Sequence, residues 1–355
     1  MRRSPRCVML ALVSLSLAGI VSAAEPAKAP TAKEQPAKEQ PLQHFALGGD
    51  GGWDYLTLDA ATHRLYIARA TRVMVVDATN GKLLGELPDT PGVHGVALVP
   101  ESGRGFVSSG RDNSVTVFDL KTLKALGKVK VGQNPDAILY DPALHRVFVF
   151  NGKSHDASVI DPAKQEVVAT IPLDGKPEFA VADGAGRIYV NIEDKAQLVA
   201  IDGRKAEVVA RWSLAPCEEP TGLALDKANH RLFSGCSNKV MTVVDAESGK
   251  LVTTLPIGDG VDGVAFDPQK HLAFSSNGQD GTLTVIRQET PDRYSVAKTI
   301  PTAKGARTLT LDPETHKVYL VTARFGATPA PTAAQPRPRP ALEPNSFELL
   351  VVTPE

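Results

Sequence analysis

The sequence predicts an all-β fold: a seven-bladed β-propeller of four-stranded antiparallel blades, closed by an N-terminal strand that completes the last blade. Three observations carry this. A short apolar strand ending in aspartate recurs at Asp77, Asp119, Asp161, Asp202 and Asp245, with steps of 42, 42, 41 and 43 residues, and TLTVIR ends at Arg287 another 42 further on. Each unit holds four short runs of period-two alternation separated by turn residues, and no apolar spacing of three to four is sustained over ten residues. Composition agrees: 29 Gly and 27 Pro against 4 Met and 2 Trp suit many turns and few helices.

The elements follow in chain order. Arg2, Arg3 and Arg6 precede an apolar run that ends in the small residues Val21-Ser22-Ala23. Positive, apolar, then small is the order of a secretory leader, so residues 1–23 are expected to be a signal peptide and the mature chain periplasmic or secreted. Its apolar run of roughly 17 residues is short for a bilayer span. Residues 24–41 contain only Ala, Glu, Pro, Lys, Thr and Gln, with nothing to bury, and read as a disordered tether. The propeller is expected over 42–355, with a Pro-rich insert at 326–345 in the last unit. That insert carries Arg337 and Arg339 and reads as a solvated loop. The last repeat, FELLVV at Phe347–Val352, leaves only three residues for its fourth strand, so the strand is sought at the other end, in Gln43–Leu47.

Charge excludes some classes. With 39 Lys and Arg against 40 Asp and Glu, a bulk binder of nucleic acid or anionic membrane is disfavoured; losing the three leader arginines leaves 36 against 40, a charge of −4. There is no CxxCH, phosphate loop, GxSxG elbow or HExxH.

The histidines His63, His145, His230, His271 and His316 each follow an aspartate by four residues in the turn joining first to second strand. Each pair belongs to a different blade, so these read as turn residues rather than ligands. The opposite face collects the candidate site. The residue entering the innermost strand is Asp54, Gly95, Asp136, Glu178, Thr221, Asp262 or Arg307 from one unit to the next, with Trp53 and His94 in the preceding slot. A turn signature would repeat one residue type, whereas this slot varies in size and charge. Four acids and an arginine converging on one opening make a polar funnel for a cation, a metal ion or a small polar ligand, with Arg307 as anion partner. The candidate ligand-binding set is Trp53, Asp54, His94, Asp136, Glu178, Glu219, Asp262, Arg307 and Arg324. Loops between second and third strands add Arg111, Asp112, Lys153, His155, Asp156, Asn191, Glu193, Asn238, Asn277 and Arg324 to the same rim. Cys217 and Cys236 flank an innermost strand and its neighbour, close enough in register for a disulfide that export permits. Cys7 leaves with the leader.

These repeats, with Tyr189-Val190-Asn191 and Tyr319-Leu320-Val321-Thr322 as fragments of the name motif, resemble the YVTN-repeat or YncE-like family of exported seven-bladed propellers from about residue 43 onward. The resemblance specifies fold and export; function lives in the site. The reading is an exported, non-catalytic binding or scaffold propeller, monomeric, whose partner is a small polar ligand or a protein. No catalytic residue is assigned, and a divalent metal ion is the one cofactor the acids would admit. Two alternatives stay open: a metal-dependent hydrolase similar to propeller lactonases, and a single-stranded nucleic-acid binder, which the acids oppose.

Overall fold

The computed structural model describes residues 42–330, 338 and 340–354. The leader, the tether and the arginines of the insert (Arg337, Arg339) lie outside these residues. Among the described residues no helix is long and apolar enough to cross a membrane; the only helices are short 3₁₀ turns at Pro100–Ser102 and Glu193–Lys195.

Seven four-stranded antiparallel sheets follow one another in chain order. Their innermost strands are Leu56–Asp59, Val93–Val99, Pro135–Asp141, Pro177–Ala182, Pro220–Asp226, Val261–Asp267 and Leu309–Leu311. The sheets bury their alternating apolar faces against one another. Ile67 and Val76 of blade 1, for example, share a core with Tyr319, Val321 and Leu349 of blade 7. That shared core and the strand order of blade 7 close the ring. Leu42–Ala46 pairs antiparallel with Glu348–Val352, Leu42 opposite Val352 and Ala46 opposite Glu348, and supplies the outermost strand. In blades 1 to 6 the pairing of the outermost strand slips by one residue at a β-bulge; the N-terminal strand of blade 7 pairs without one.

The aspartates that end the third strands cap the turns that follow. Asp119 accepts from the backbone N–H of Lys121 and Thr122, and Asp245 from Glu247 and Ser248. Side-chain bonds from Thr79 and Ser248 are the foremost reason that Asp77 and Asp245 are held below the ordinary carboxyl range; for Asp119 and Asp202 it is the backbone bonds from Thr122 and Lys205. A carboxyl with a depressed folded-state pKa stabilises fully above its unfolded value of about 4, and that contribution is lost as pH falls through the folded value. The contribution of these four aspartates should therefore hold from neutral pH to about 5 and be lost below about 4, read as a fall of the urea midpoint on that acid limb. Asp245→Asn, which keeps an Asx turn but not the charge, should flatten that acid limb in a pH series of urea titrations.

The five histidines occupy left-handed turn positions, with φ between 51° and 61°. Two of them also bridge blades: His316 Nδ1 lies 2.7 Å from Oδ2 of the buried Asp267, joining blade 7 to blade 6, and His145 Nδ1 lies 3.4 Å from Glu101 Oε1, joining blade 3 to blade 2. Asn191 and Asn277, read from sequence as rim residues, are buried instead. Asn191 donates to the carbonyls of Thr221 and Gly222 in the next blade; Asn277 bonds Thr282 and Thr284. Both sit where a second strand ends, so their amides satisfy backbone and hydroxyl groups that face no water.

Cys217 and Cys236, 19 positions apart in sequence, are joined by a disulfide with Cα atoms 5.4 Å apart. It ties the loop entering blade 5 to that blade's second strand. Replacing both cysteines by serine should cost about 3 kcal/mol in the chain-entropy model, read as a lower melting temperature in the non-reducing buffer that leaves the parent unchanged.

Candidate functional site

Each innermost strand begins with a β-bulge in blades 2 to 6, between Val93 and Val96, Pro135 and Ile138, Pro177 and Ala180, Pro220 and Leu223, and Val261 and Gly263. A bulge leaves a residue out of the ladder and re-aims its side chain. The residues inside these bulges are the ones the sequence pattern marks, with one correction. Val93 pairs with Ser109 as Pro135 pairs with Asn151, so His94, not Gly95, is the blade 2 member. Gly95 is the small residue behind it, like Ala137, Gly222 and Gly263. Blade 1 enters through Asp54 and blade 7 through Arg307, giving the ring Asp54, His94, Asp136, Glu178, Thr221, Asp262 and Arg307.

The ring is an ionic network. His94 Nδ1 is 2.7 Å from Asp54 Oδ2 and 3.6 Å from Asp136 Oδ1. Arg307 donates from Nε to Asp262 Oδ2 at 2.8 Å and from Nη2 to the Trp53 carbonyl at 2.8 Å, with Asp54 Oδ1 at 3.7 Å. Lys176, which the sequence reading passed over, lies 2.6 Å from Glu178 Oε1 and also donates to Glu193. Thr221 turns away: its hydroxyl donates to the Val261 carbonyl at 3.0 Å.

Directly after the ring residue, five blades carry a small residue and two carry an aromatic one. Tyr55 and Phe179, from blades 1 and 4, meet edge to face with centroids 5.0 Å apart. Strands three blades apart can bring rings this close only across the channel, so the pair plugs it. The mouth is a cup with an aromatic floor. Tyr55 is 8 % exposed, and among the described residues its hydroxyl has no hydrogen-bond partner. The departure from small residues at 55 and 179 was the signal available in the sequence.

Burial and crowding shift the acids. Desolvation pushes Asp136 up to about 7, against the pull of His94 and with help from Asp54 and Asp262. Burial and then Asp136 raise Glu178 to about 9, with Lys176 opposing; burial raises Asp262 to about 6, with Arg307 opposing. Burial alone would lower His94, but the Asp54 bond and the charges of Asp136 and Asp54 hold it up at about 9. Burial first, then Asp136, Asp262, Glu178 and Asp54, raises the Tyr55 phenol. Such carboxylates lack the positive charge that would let all of them ionise.

Beside the cup, a groove of about 1020 Å³ runs between the loops of blades 6 and 7 and the insert. Asp262 and Arg307 line it on the cup side, with Gln279, Lys304, Phe325 and Leu342 beyond. Trp53 is 7 % exposed; it donates from Nε1 to the Gly305 carbonyl at 3.2 Å and packs on Phe325 and Phe347, so it is mostly core with one edge on the groove. Two predicted members fall outside the network. Arg324 is largely exposed and pairs with Glu343 at 2.8 Å, fastening the insert where Phe325 bridges Leu342. Glu219 is exposed at a left-handed position, φ 43°.

Among proteins of known sequence, the chain is 25% identical over 242 residues to the uncharacterized protein YncE of Salmonella typhimurium, covering 63% of this chain and 67% of that one. It is 27% identical over 202 residues to antigen Lp49 of Leptospira interrogans, covering 51% of this chain and 41% of the antigen. No protein-family model matches. Its fold superposes on Kuenenia stuttgartiensis hydrazine synthase with TM-score 0.66 at 18% identity, over 78% of this chain and 94% of that chain. For U3-55K the TM-score is 0.72 at 9% identity, over 88% and 98%. At these identities the two structures speak for the fold alone. The chain is thus a seven-bladed propeller similar in sequence to YncE.

Proposed function

We propose that the protein is an exported, non-catalytic binding propeller whose cup takes a small cationic ligand. One observation carries this reading: carboxylates from four blades, mostly out of water, are gathered into one network over the Tyr55–Phe179 ring pair. Bringing like charges together costs stability, and folds tolerate such arrangements where a ligand relieves them. The imidazole of His94 is engaged by Asp54 and Asp136 rather than by a hydroxyl or thiol, which speaks for binding over nucleophilic chemistry. The same acids repel a phosphate backbone, so the nucleic-acid alternative is the weaker one.

A thermal-shift screen tests it, using divalent cations and small ammonium and guanidinium compounds on the mature protein. A ligand that binds only the folded state stabilises it by about 2.7 kcal/mol at a hundred times its Kd. The double variant Asp136→Asn/Asp262→Asn should keep the parent's circular dichroism and lose that shift. A full shift in the double variant places binding elsewhere and ends this reading.

A further inference from the structure

The cup is not uniform, and its blade 1 to blade 3 side differs from the rest. Glu178 has Lys176 against it and Asp262 has Arg307. Among the described residues no lysine or arginine pairs with Asp54 Oδ2 or Asp136 Oδ1; Arg307 reaches only the other oxygen of Asp54, at 3.7 Å. These three ligating atoms lie within 4.8 Å of one another, His94 Nδ1 at 2.7 Å from Asp54 Oδ2 and 3.6 Å from Asp136 Oδ1, against edges of about 3–3.5 Å in a coordination polyhedron built on bonds of about 2.0–2.2 Å. Small rotations of the side chains would bring all three onto one ion.

The backbone is arranged for this set. Asp136 and His94 are held in bulges at the starts of neighbouring innermost strands, and Ser108 bridges them by donating to the Asp136 carbonyl while accepting from the Gly95 N–H. Asp54 is fixed from its other side by blade 7, where Thr308 donates to its carbonyl at 2.9 Å. The His94 ring fits because position 110 is glycine: a Cβ there would stand 2.9 Å from His94 Nε2. That contact leaves Nδ1 as the nitrogen facing the acids. Independently of this trio, the buried Tyr55, whose ring meets Phe179 at 5.0 Å and which directly follows Asp54, has a hydroxyl with no hydrogen-bond partner among the described residues, an oxygen available to a ligand or to its bound water.

We infer that Asp54, His94 and Asp136 form a divalent-metal site, with the Tyr55 hydroxyl at its edge. The inference rests on the proposed cup and names its occupant. One imidazole and two carboxylates favour a borderline first-row ion such as Zn2+ or Co2+ over Ca2+ or Mg2+, which prefer oxygen alone. Binding replaces whatever proton His94 Nδ1 carries, so no electron or covalent step is involved.

The experiment uses the full chain, stripped with chelator, dialysed and reloaded with Zn2+ or Co2+. Elemental analysis should find about one ion per chain. The Co2+ form should show the visible absorption of a low-coordinate site with a nitrogen ligand, and Zn2+ should raise the melting temperature. His94→Gln and Asp136→Asn should each weaken uptake by about 100-fold, whereas Asp112→Asn, on the rim and paired with Lys128, should load like the parent. Two variants are used because either could disturb the strand start; the apo melting curve of each shows whether it folds. Uptake that is absent, or that survives both variants, overturns the inference. If metals fail while ammonium probes still act through Asp136 and Asp262, the metal falls and the cup stands; if neither class shifts the melting curve, both fall.

Discussion

Deleting residues 42–46 should cost a large part of the stability of the fold, because it opens the ring. The strand Leu42–Ala46 contributes five registered pairs to blade 7 and covers the ladder of Glu348–Val352. Its side chains also matter: Leu42 packs on the core shared by blades 6 and 7, and Phe45 on the one shared by blades 7 and 1. Half-buried apolar residues of this kind contribute about 1 kcal/mol each, and each ladder bond a further ~1 kcal/mol. The loss is then about 5 kcal/mol, against a total stability of about 5–15 kcal/mol. The truncated chain also presents a bare apolar edge strand, which invites association. The expected result is a large drop in urea midpoint with concentration-dependent aggregation. Deleting 24–41, which holds no apolar branched or aromatic residue, should leave the midpoint where it was. A synthetic peptide spanning 42–48, added in trans, should restore part of the loss. An unchanged midpoint after removal of 42–46 would show that blade 7 does not depend on its fourth strand.

Fold and site differ in how far the sequence discloses them. Period-two alternation, the aspartate at the end of each third strand and the count of repeats are local signals repeated many times, so architecture and closure can be read by counting. The ring of side chains was legible for the same reason. Its register was not: a bulge inserts a residue without changing composition, and His94-Gly95 reads equally well in either slot until Val93 is seen opposite Ser109. The floor was missed because Tyr55 and Phe179 look like ordinary core aromatics; only the ring geometry brings blades 1 and 4 face to face. Asn191 and Asn277 erred the other way. A polar residue at a strand end suggests solvent, yet these amides serve carbonyls and hydroxyls of a tightly packed blade junction. Arg324 was placed at the mouth by its offset in the repeat, whereas the insert gives it a carboxylate partner at the edge.

Arg69 shows a residue whose role no pattern announces, and its substitution should have the second largest effect. It ends the second strand of blade 1, where other blades carry Ser109, Asn151 or Cys236, and its side chain is fully buried. The guanidinium donates to the carbonyls of Gly49, Asp50, Gly51 and Gly52 and lies 3.6 Å over the Phe347 ring. The glycine loop wraps it because Gly49 and Gly51 take φ of 75° and 102°, which turns successive carbonyls inward. Burial, and then the nearby Arg72, lower its pKa to about 10, still charged at neutral pH. This one side chain thus ties the N-terminal strand to the residues that enter the cup, Trp53 and Asp54. Arg69→Met keeps the volume but leaves the carbonyls of Gly49, Gly51 and Gly52 without this donor, Asp50 alone keeping a second one in Arg72 at 3.3 Å. Hydrogen bonds to a charged group are worth about 1.5–3 kcal/mol each, offset by rewetting of the loop and by relief of the buried charge, so a net loss of about 3 kcal/mol is expected. Arg69→Lys should recover less than half, since an ammonium has no fork to span four acceptors. Both variants should also weaken cup ligands by displacing Asp54, a coupling that a purely structural contact on the outer wall would not produce. An Arg69→Met protein with parental stability and parental thermal shifts would remove the loop from both the fold and the site.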